Sequence, residues 1–211
     1  AVLDHTSNLI LGLADMAIYD DFKPIHWRQG RQEIQHWAYW CVDTNLPADT
    51  LHYLASEKAE RLLFAVVTSP AKAHRLREVL PTLDAVFVNR VEANILANSD
   101  TGASQTIEEQ ARALCDLGAL RAIVTAGVDG AAWAGQDSSG HIACPAVNPR
   151  SFSGAGDVLA GTTMAALLSG ETLEQALTYG TCAATLSTLS DMNDPHLSWS
   201  LIKEKLAHND A

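Results

Sequence analysis

The run Leu62-Leu63-Phe64-Ala65-Val66-Val67 has no polar residue, and it constrains the fold more than any other stretch. A strand with one wet face alternates apolar and polar residues. A run that is apolar at every position belongs to a strand covered on both faces, as in a parallel sheet flanked by helices. Similar runs recur at Ala85-Val86-Phe87-Val88 and Ala122-Ile123-Val124, and Tyr39-Trp40-Cys41-Val42-Asp43 is strand-like. Helical stretches alternate with them, from 47 to about 61 and over 71–80, 91–97 and 107–117. This alternation predicts an α/β domain with a largely parallel sheet. Further on, 131–134 and 141–144 read as an antiparallel pair, followed by long helices over 156–169 and 173–189 and a tail helix near 197–206. Upstream, Ala1-Val2-Leu3 and Leu9-Ile10-Leu11-Gly12-Leu13 read as a hairpin about the polar turn 4–8. Residues 28–37 read as a helix with Ile34 and Trp37 on one face.

Ligands of such sheets bind beyond the carboxyl ends of the strands, so the loops there are the ones to read. After Val88 comes Asn89-Arg90-Val91-Glu92, an amide and a carboxylate three residues apart at a helix start. The pair suits either a capping box or a site where the carboxylate holds a Mg²⁺-bound water and the amide meets a phosphate oxygen. After Val124 comes Thr125-Ala126-Gly127-Val128-Asp129-Gly130, whose glycines allow either a close approach to a nucleotide or simply a turn.

The third stretch is Ser151-Phe152-Ser153-Gly154-Ala155-Gly156-Asp157, leading into an apolar helix that stops at Gly170. A flexible turn at a helix start leaves backbone N–H groups unpaired, and they attract anions. An acid beside such a hole repels the phosphate it would hold. Its presence makes sense if the carboxylate takes a proton from an alcohol attacking that phosphate. The competing reading is ordinary: Asp is a favourable residue in any first helical turn.

Composition narrows the partners. The formal charge is −11, from 14 basic and 25 acidic residues, with no basic cluster, which argues against nucleic acid and anionic membrane surfaces. No run reaches the ~18 apolar residues of a membrane span, and the start carries no signal-peptide core. Cys41, Cys115, Cys144 and Cys182 are scattered within apolar runs, which suggests buried free thiols in a reducing cytoplasm rather than metal ligands or disulfides. His26 and His36 flank Trp27 and Trp37 without metal-ligand spacing.

Taken in order, N-x-x-E, T-x-G-x-x-G and G-A-G-D followed by Gly161 resemble the PfkB, or ribokinase-like, family of carbohydrate and nucleoside kinases. Within it the chain is most similar to the pseudouridine kinases, through Asp43-Thr44-Asn45, the Asn89–Glu92 segment, G-A-G-D and the lid-like Ala14-Asp15-Met16. The resemblance implies a three-layer α/β/α fold with a mostly parallel sheet and a small β lid hairpin. It implies ATP-dependent transfer of a phosphoryl group to a primary hydroxyl of a sugar or nucleoside, with pseudouridine as lead substrate. Asp157 would be the base, and backbone N–H groups of Gly154, Ala155 and Gly156 would neutralise the transferring phosphoryl. Glu92, with Asn89, would place Mg²⁺ and phosphates, and Thr125, Gly127 and Gly130 would lie along the nucleotide. The adenine would sit between the segment near Val147 and the helix carrying Thr181 and Ala184. Asp15 would contact the substrate. Pairing through the lid makes a homodimer the expected assembly.

The resemblance has gaps. Ser151 stands where the family often has Asp, which removes the ground for a monovalent-cation site, and Phe152 replaces a small residue. Val66 stands where pseudouridine kinases show Asp, although Lys72 matches. Nothing resembles the family's N-terminal third with its substrate-binding Gly-Gly motif. The expectation is therefore that 1–18 is part of a lid hairpin and 19–211 the nucleotide-binding and catalytic core of a longer protein. The alternatives are another acceptor (ribose, fructose or an adenosine-like molecule) and a non-catalytic nucleotide-binding fragment.

Overall fold

The structure, a computed structural model, describes residues 2–3, 9–11, 15–98, 105–136, 138–189 and 197–209. It divides into two compact units: Ala1–Ala14, Gly127–Ala131 and His141–Ala211 form one, Asp15–Ala126 and Ala132–Gly140 the other. The first unit opens with β1 (Val2–Leu3) and β2 (Leu9–Leu11), paired antiparallel as the hairpin pattern predicts. The expected turn at 4–8 and the end of the second run at 12–14 lie outside the described residues.

The second unit holds most of the sheet. Its opening helix is broken: α1 (Pro24–Gln29) and α2 (Arg31–Ile34) meet at Gly30, whose N–H caps α1 on the carbonyls of His26 and Arg28. Glycine is a poor helix former, so the single helix expected over 28–37 divides there. The second piece ends at Ile34, so Trp37 is 61% exposed while Ile34 packs on the core. The two do not share a buried face.

Next come β3 (Tyr39–Asp43), α3 (Ala48–Glu57), β4 (Leu62–Val66), β5 (Ala85–Asn89), α4 (Arg90–Ala97), α5 (Ile107–Asp116), β6 (Arg121–Thr125), β7 (Ala131–Gly135) and β8 (Ser139–Ile142). The strands form one sheet in the order β3-β4-β5-β6-β7-β8, and its first three pairings are parallel. The apolar runs are its middle: Leu63, Phe64, Ala65, Val86, Ala122 and Ile123 are each at most 1% exposed. Burying side chains such as Leu63 or Phe64 stabilises the fold by ~1.5–3 kcal/mol each. The last strand begins earlier than expected, leaving Cys144 outside it.

The helix expected over 71–80 is instead 3₁₀, at Pro70–Leu76 and Leu80–Thr82. N–H groups of Lys72, Arg77, Val79, Thr82 and Leu83 all bond three residues back. The buried side chains Ala73, Leu76 and Val79 recur every third residue, the period at which a 3₁₀ turn stacks them on one side. Pro81 prevents a longer α-helix by removing a donor.

The first unit continues with a 3₁₀ turn at Gly127–Asp129, then α6 (Ala155–Leu168), α7 (Leu173–Thr188) and α8 (Trp199–Asn209). The helices α6 and α7 approach closely at Gly180, where any Cβ would collide with Thr163 and with the carbonyl of Leu159, 2.8 Å away. Tyr179 meets Trp199 edge-on at 5.7 Å, and Cys182, Ala183 and Ile202 form the core of α7 and α8. All four cysteines are free, but only Cys182 is buried; Cys115 and Cys144 are half-buried and Cys41 is exposed. The expectation of four buried thiols therefore fails at Cys41. It lies on β3, at the end of the sheet among the described residues, where successive side chains point to opposite faces: Tyr39 and Cys41 are on the open face and Val42 on the buried one.

Candidate functional site

In the second unit the carboxyl ends of β5 and β6 bring Asn89 and Thr125 together as a registered pair, and the Thr125 hydroxyl donates to the Val88 carbonyl at 3.4 Å. Asn89 caps α4. Its Oδ1 accepts from the N–H of Val91 at 2.9 Å and of Glu92 at 3.0 Å, and Glu92 Oε2 accepts from the N–H of Asn89 at 2.9 Å. The capping box is thus fully formed. Glu92 is only 4% exposed. Burial pushes its carboxyl above the usual range, against the lowering effect of its hydrogen bonds with Asn89. A carboxylate destabilised by burial gains from a nearby cation. That chemistry fits magnesium, which takes one or two carboxylates and completes its shell with water and phosphate. No cluster of three or more metal-ligating side chains occurs among the described residues.

Asp15 opens the same unit. It is exposed, and its Oδ1 accepts from the N–H of Ala17 at 3.1 Å, the bond of an ordinary turn acid.

The first unit holds the remaining candidates. Gly127 and Gly130 both have positive φ, +57° and +86°, so both suit the turn. They differ in space. A Cβ on Gly130 would collide with the backbone at 142–144, whereas nothing lies within 4 Å of one on Gly127. The close approach that Gly130 permits is to its own chain, and Gly127 is the one left open.

At the start of α6 Gly154 is left-handed, with φ 79° and ψ −4°, and no side chain caps the helix. The N–H of Ala155 reaches the Phe152 carbonyl at 3.3 Å and that of Val158 the Gly154 carbonyl at 2.9 Å. Those of Gly154, Gly156 and Asp157 have no acceptor among the described residues. Asp157 is exposed in the same first turn. Open donors, a positive helix end and a carboxylate therefore meet within four residues.

The segment leading there runs along α7. The thiol of Cys144 lies 3.7 Å from the Thr185 hydroxyl, and the N–H groups of Arg150 and Ser151 reach the Thr188 carbonyl at 2.7 and 3.3 Å. Those contacts lie one and two helical turns beyond Thr181. Thr181 is buried and its Oγ1 has no partner among the described residues; Ala184 is half-buried and Val147 39% exposed.

The sequence profile of the pfkB family carbohydrate kinases matches residues 21–193. A ribokinase from Staphylococcus aureus (strain COL) is 28% identical over 123 residues, 57% of this chain and 40% of that protein. The pseudouridine kinase of Escherichia coli (strain K12) is 22% identical over 200 residues, 94% of this chain and 64% of that protein. The chain spans less than two thirds of the length of these curated relatives. Among solved structures, a carbohydrate kinase from Agrobacterium tumefaciens superposes with a TM-score of 0.81 at 29% identity, over 98% of this chain and 67% of that one. The fold is accordingly the three-layer α/β ribokinase-like fold.

Proposed function

Because its family match covers residues 21–193, the chain belongs to the pfkB family of carbohydrate kinases, and on that premise we propose that it transfers the γ-phosphoryl of ATP to a primary hydroxyl of a sugar or nucleoside. The observation carrying this reading is the start of α6, where unpaired N–H groups and the exposed Asp157 share one turn.

Asp157 takes the proton of the acceptor hydroxyl as its oxygen bonds to the γ-phosphorus. The bond to the bridging oxygen breaks and ADP leaves with that electron pair. N–H groups of Gly154, Gly156 and Asp157 hold the phosphoryl oxygens; Ala155 joins them by giving up its long bond to Phe152. Phosphoryl transfer depends on positioning and charge neutralisation more than on covalent chemistry, so a row of aligned donors suffices. Magnesium, when bound beside Glu92 and Asn89, neutralises phosphate charge. Burial keeps Glu92 in need of a cation and its bond to Asn89 fixes its direction. Thr125 and Gly127 line the nucleotide, with Gly130 shaping the turn. Thr181 and Ala184 border the adenine, and the partnerless hydroxyl of Thr181 is a donor in waiting.

Pseudouridine is the lead acceptor, on the resemblance of Asp43-Thr44-Asn45, the Asn89–Glu92 segment and G-A-G-D to the pseudouridine kinases. Asp15 is the substrate contact nominated within this chain. The site is proposed for a cytoplasmic enzyme, and a homodimer is proposed by analogy with family members that pair through the lid hairpin. An ADP-release assay with Mg·ATP against pseudouridine, uridine, adenosine, ribose and fructose tests the reading, on this chain and on any longer form. Turnover with pseudouridine foremost is the expected result; absence of turnover with every acceptor and both forms would reduce the chain to a nucleotide-binding module.

A further inference from the structure

A polar row crosses the carboxyl edge of the sheet in the second unit. Asp43, Val66, Phe87 and Ile123 are in register across β3, β4, β5 and β6. Advancing each strand by two residues reaches Asn45, Thr68, Asn89 and Thr125, the last two being a registered pair themselves. The extension is real beyond the strand ends. Val67 donates to the Phe87 carbonyl at 2.9 Å, and the N–H and hydroxyl of Thr68 both meet the Thr44 hydroxyl at 3.0 Å.

Lys72 projects onto this row. It sits half-buried in the 3₁₀ turn after β4, and its Nζ donates to Asn45 Oδ1 at 2.8 Å. Asn45 cannot swing away. Asp43 accepts from its N–H at 2.8 Å and from its Nδ2 at 3.2 Å, which also fixes Oδ1 as the atom facing Lys72. The loop is held from below as well, because Arg75 donates to the carbonyls of Thr44, Asn45 and Leu46 at 2.9–3.3 Å.

This arrangement leaves a charge without a counter-charge. Lys72 is a half-buried ammonium whose partner is a neutral amide, and it makes no ion pair with any described carboxylate, in a chain of net charge −11. The one other lysine or arginine of this turn, Arg75, is committed: it serves three carbonyls and lies 3.7 Å from Asp20. An ammonium with open donors at a ligand-binding edge is a receptor for an anion.

We propose that Lys72 is a phosphoryl-binding residue of the carboxyl edge, aimed by Asn45 as a positioning residue and stiffened by Asp43 and Arg75. The inference rests on the phosphoryl-transfer reading but places the charge in the second unit, independently of Asp157. The phosphoryl group belongs either to the triphosphate or to the phosphorylated product, and the ligands below separate the two.

The test is calorimetric titration of the whole chain with inorganic tripolyphosphate and, separately, with ribose 5-phosphate. Lys72→Gln should weaken one of them about ten- to a hundred-fold, the loss expected for a charge-assisted hydrogen bond, and Lys72→Arg should restore part of it. Loss confined to tripolyphosphate assigns the residue to the nucleotide; loss confined to ribose 5-phosphate assigns it to the product. Asn45→Ala should weaken the same ligand with Lys72 intact while the chain stays folded at the titration temperature. Lys203→Gln, removing the same charge from an exposed surface of α8, should leave both affinities as they were. Equal affinities of wild type and Lys72→Gln for both ligands, or an equal loss in Lys203→Gln, would overturn the proposal. Because the readout is binding, an inactive Asp157 variant does not affect it, and a failed Lys72 test leaves the role of Asp157 standing.

Discussion

Two helix starts carry the candidate chemistry, and they are built in opposite ways. At α4 the side chain of Asn89 accepts from two backbone N–H groups, while Glu92 reaches back to a third. At α6 a left-handed glycine leads in, no side chain caps the turn, and three N–H groups remain open. The first end is closed on itself and its carboxylate is buried; the second is open and its carboxylate is exposed. A closed end has spent its donors and retains only a charge, so it suits a cation. An open end still has its donors, so it suits an anion. The same acidic residue near a helix start thus has different chemistry according to what satisfies the backbone around it.

The largest effect expected from this contrast is on turnover. Asp157→Asn should lower kcat by roughly 10²–10⁴-fold, the range for loss of a general base, with the KM for ATP changed only a few-fold. ADP release measured on both forms decides it, and equal kcat values would remove Asp157 from the mechanism. Next in size is Gly154→Ala. A Cβ there has nothing within 4 Å, so its cost is conformational alone, about 1–2 kcal/mol for a left-handed alanine. A denaturant titration should show that loss; an unchanged midpoint would mean that the turn relaxes and is not held open. At the closed end, Asn89→Ala should cost about 1 kcal/mol by removing the cap, again read from denaturation.

The smallest effect is the most specific. The Glu92 carboxyl is raised by burial, so the folded chain keeps its proton to higher pH than the unfolded chain does. Between the ordinary glutamate range and that raised value the folded state binds more protons, and its stability falls as pH rises. Glu92→Gln keeps an acceptor for the N–H of Asn89 but cannot titrate. Stability measured across that acid window should therefore fall less steeply in the variant. Identical slopes would mean that burial does not tune Glu92.

Much of this was legible in the chain. The runs 62–66, 85–88 and 122–124 read as buried strands because a parallel sheet covered on both faces leaves no polar alternation. The start of α6 was equally plain, since Gly154 and Gly156 flank a single alanine before an apolar helix. Other features depended on geometry that spacing alone does not carry. The apolar positions at 73, 76 and 79 fit a 3₁₀ turn, yet over so short a stretch they also match an α-helix. Gly127 and Gly130 look alike as letters, and only the hairpin backbone at 142–144 distinguishes the open one from the packed one. Asn45, Thr68, Asn89 and Thr125 are scattered over 81 positions and become neighbours only through strand register. Lys72 stood out in the sequence only as a match to the pseudouridine kinases; that Asn45 holds its ammonium is visible only in the fold.

The account's central claim is that the open end of α6 receives an anion and that Asp157 is there for proton transfer, not for holding it. The direct measurement is the affinity of inorganic tripolyphosphate for wild type and for Asp157→Asn, titrated at one ionic strength. Removing a negative charge beside the donors should leave binding as tight or make it tighter, even though the same variant has lost turnover. Markedly weaker binding by Asp157→Asn would contradict the account, because the carboxylate would then be building the pocket and not serving the reaction within it.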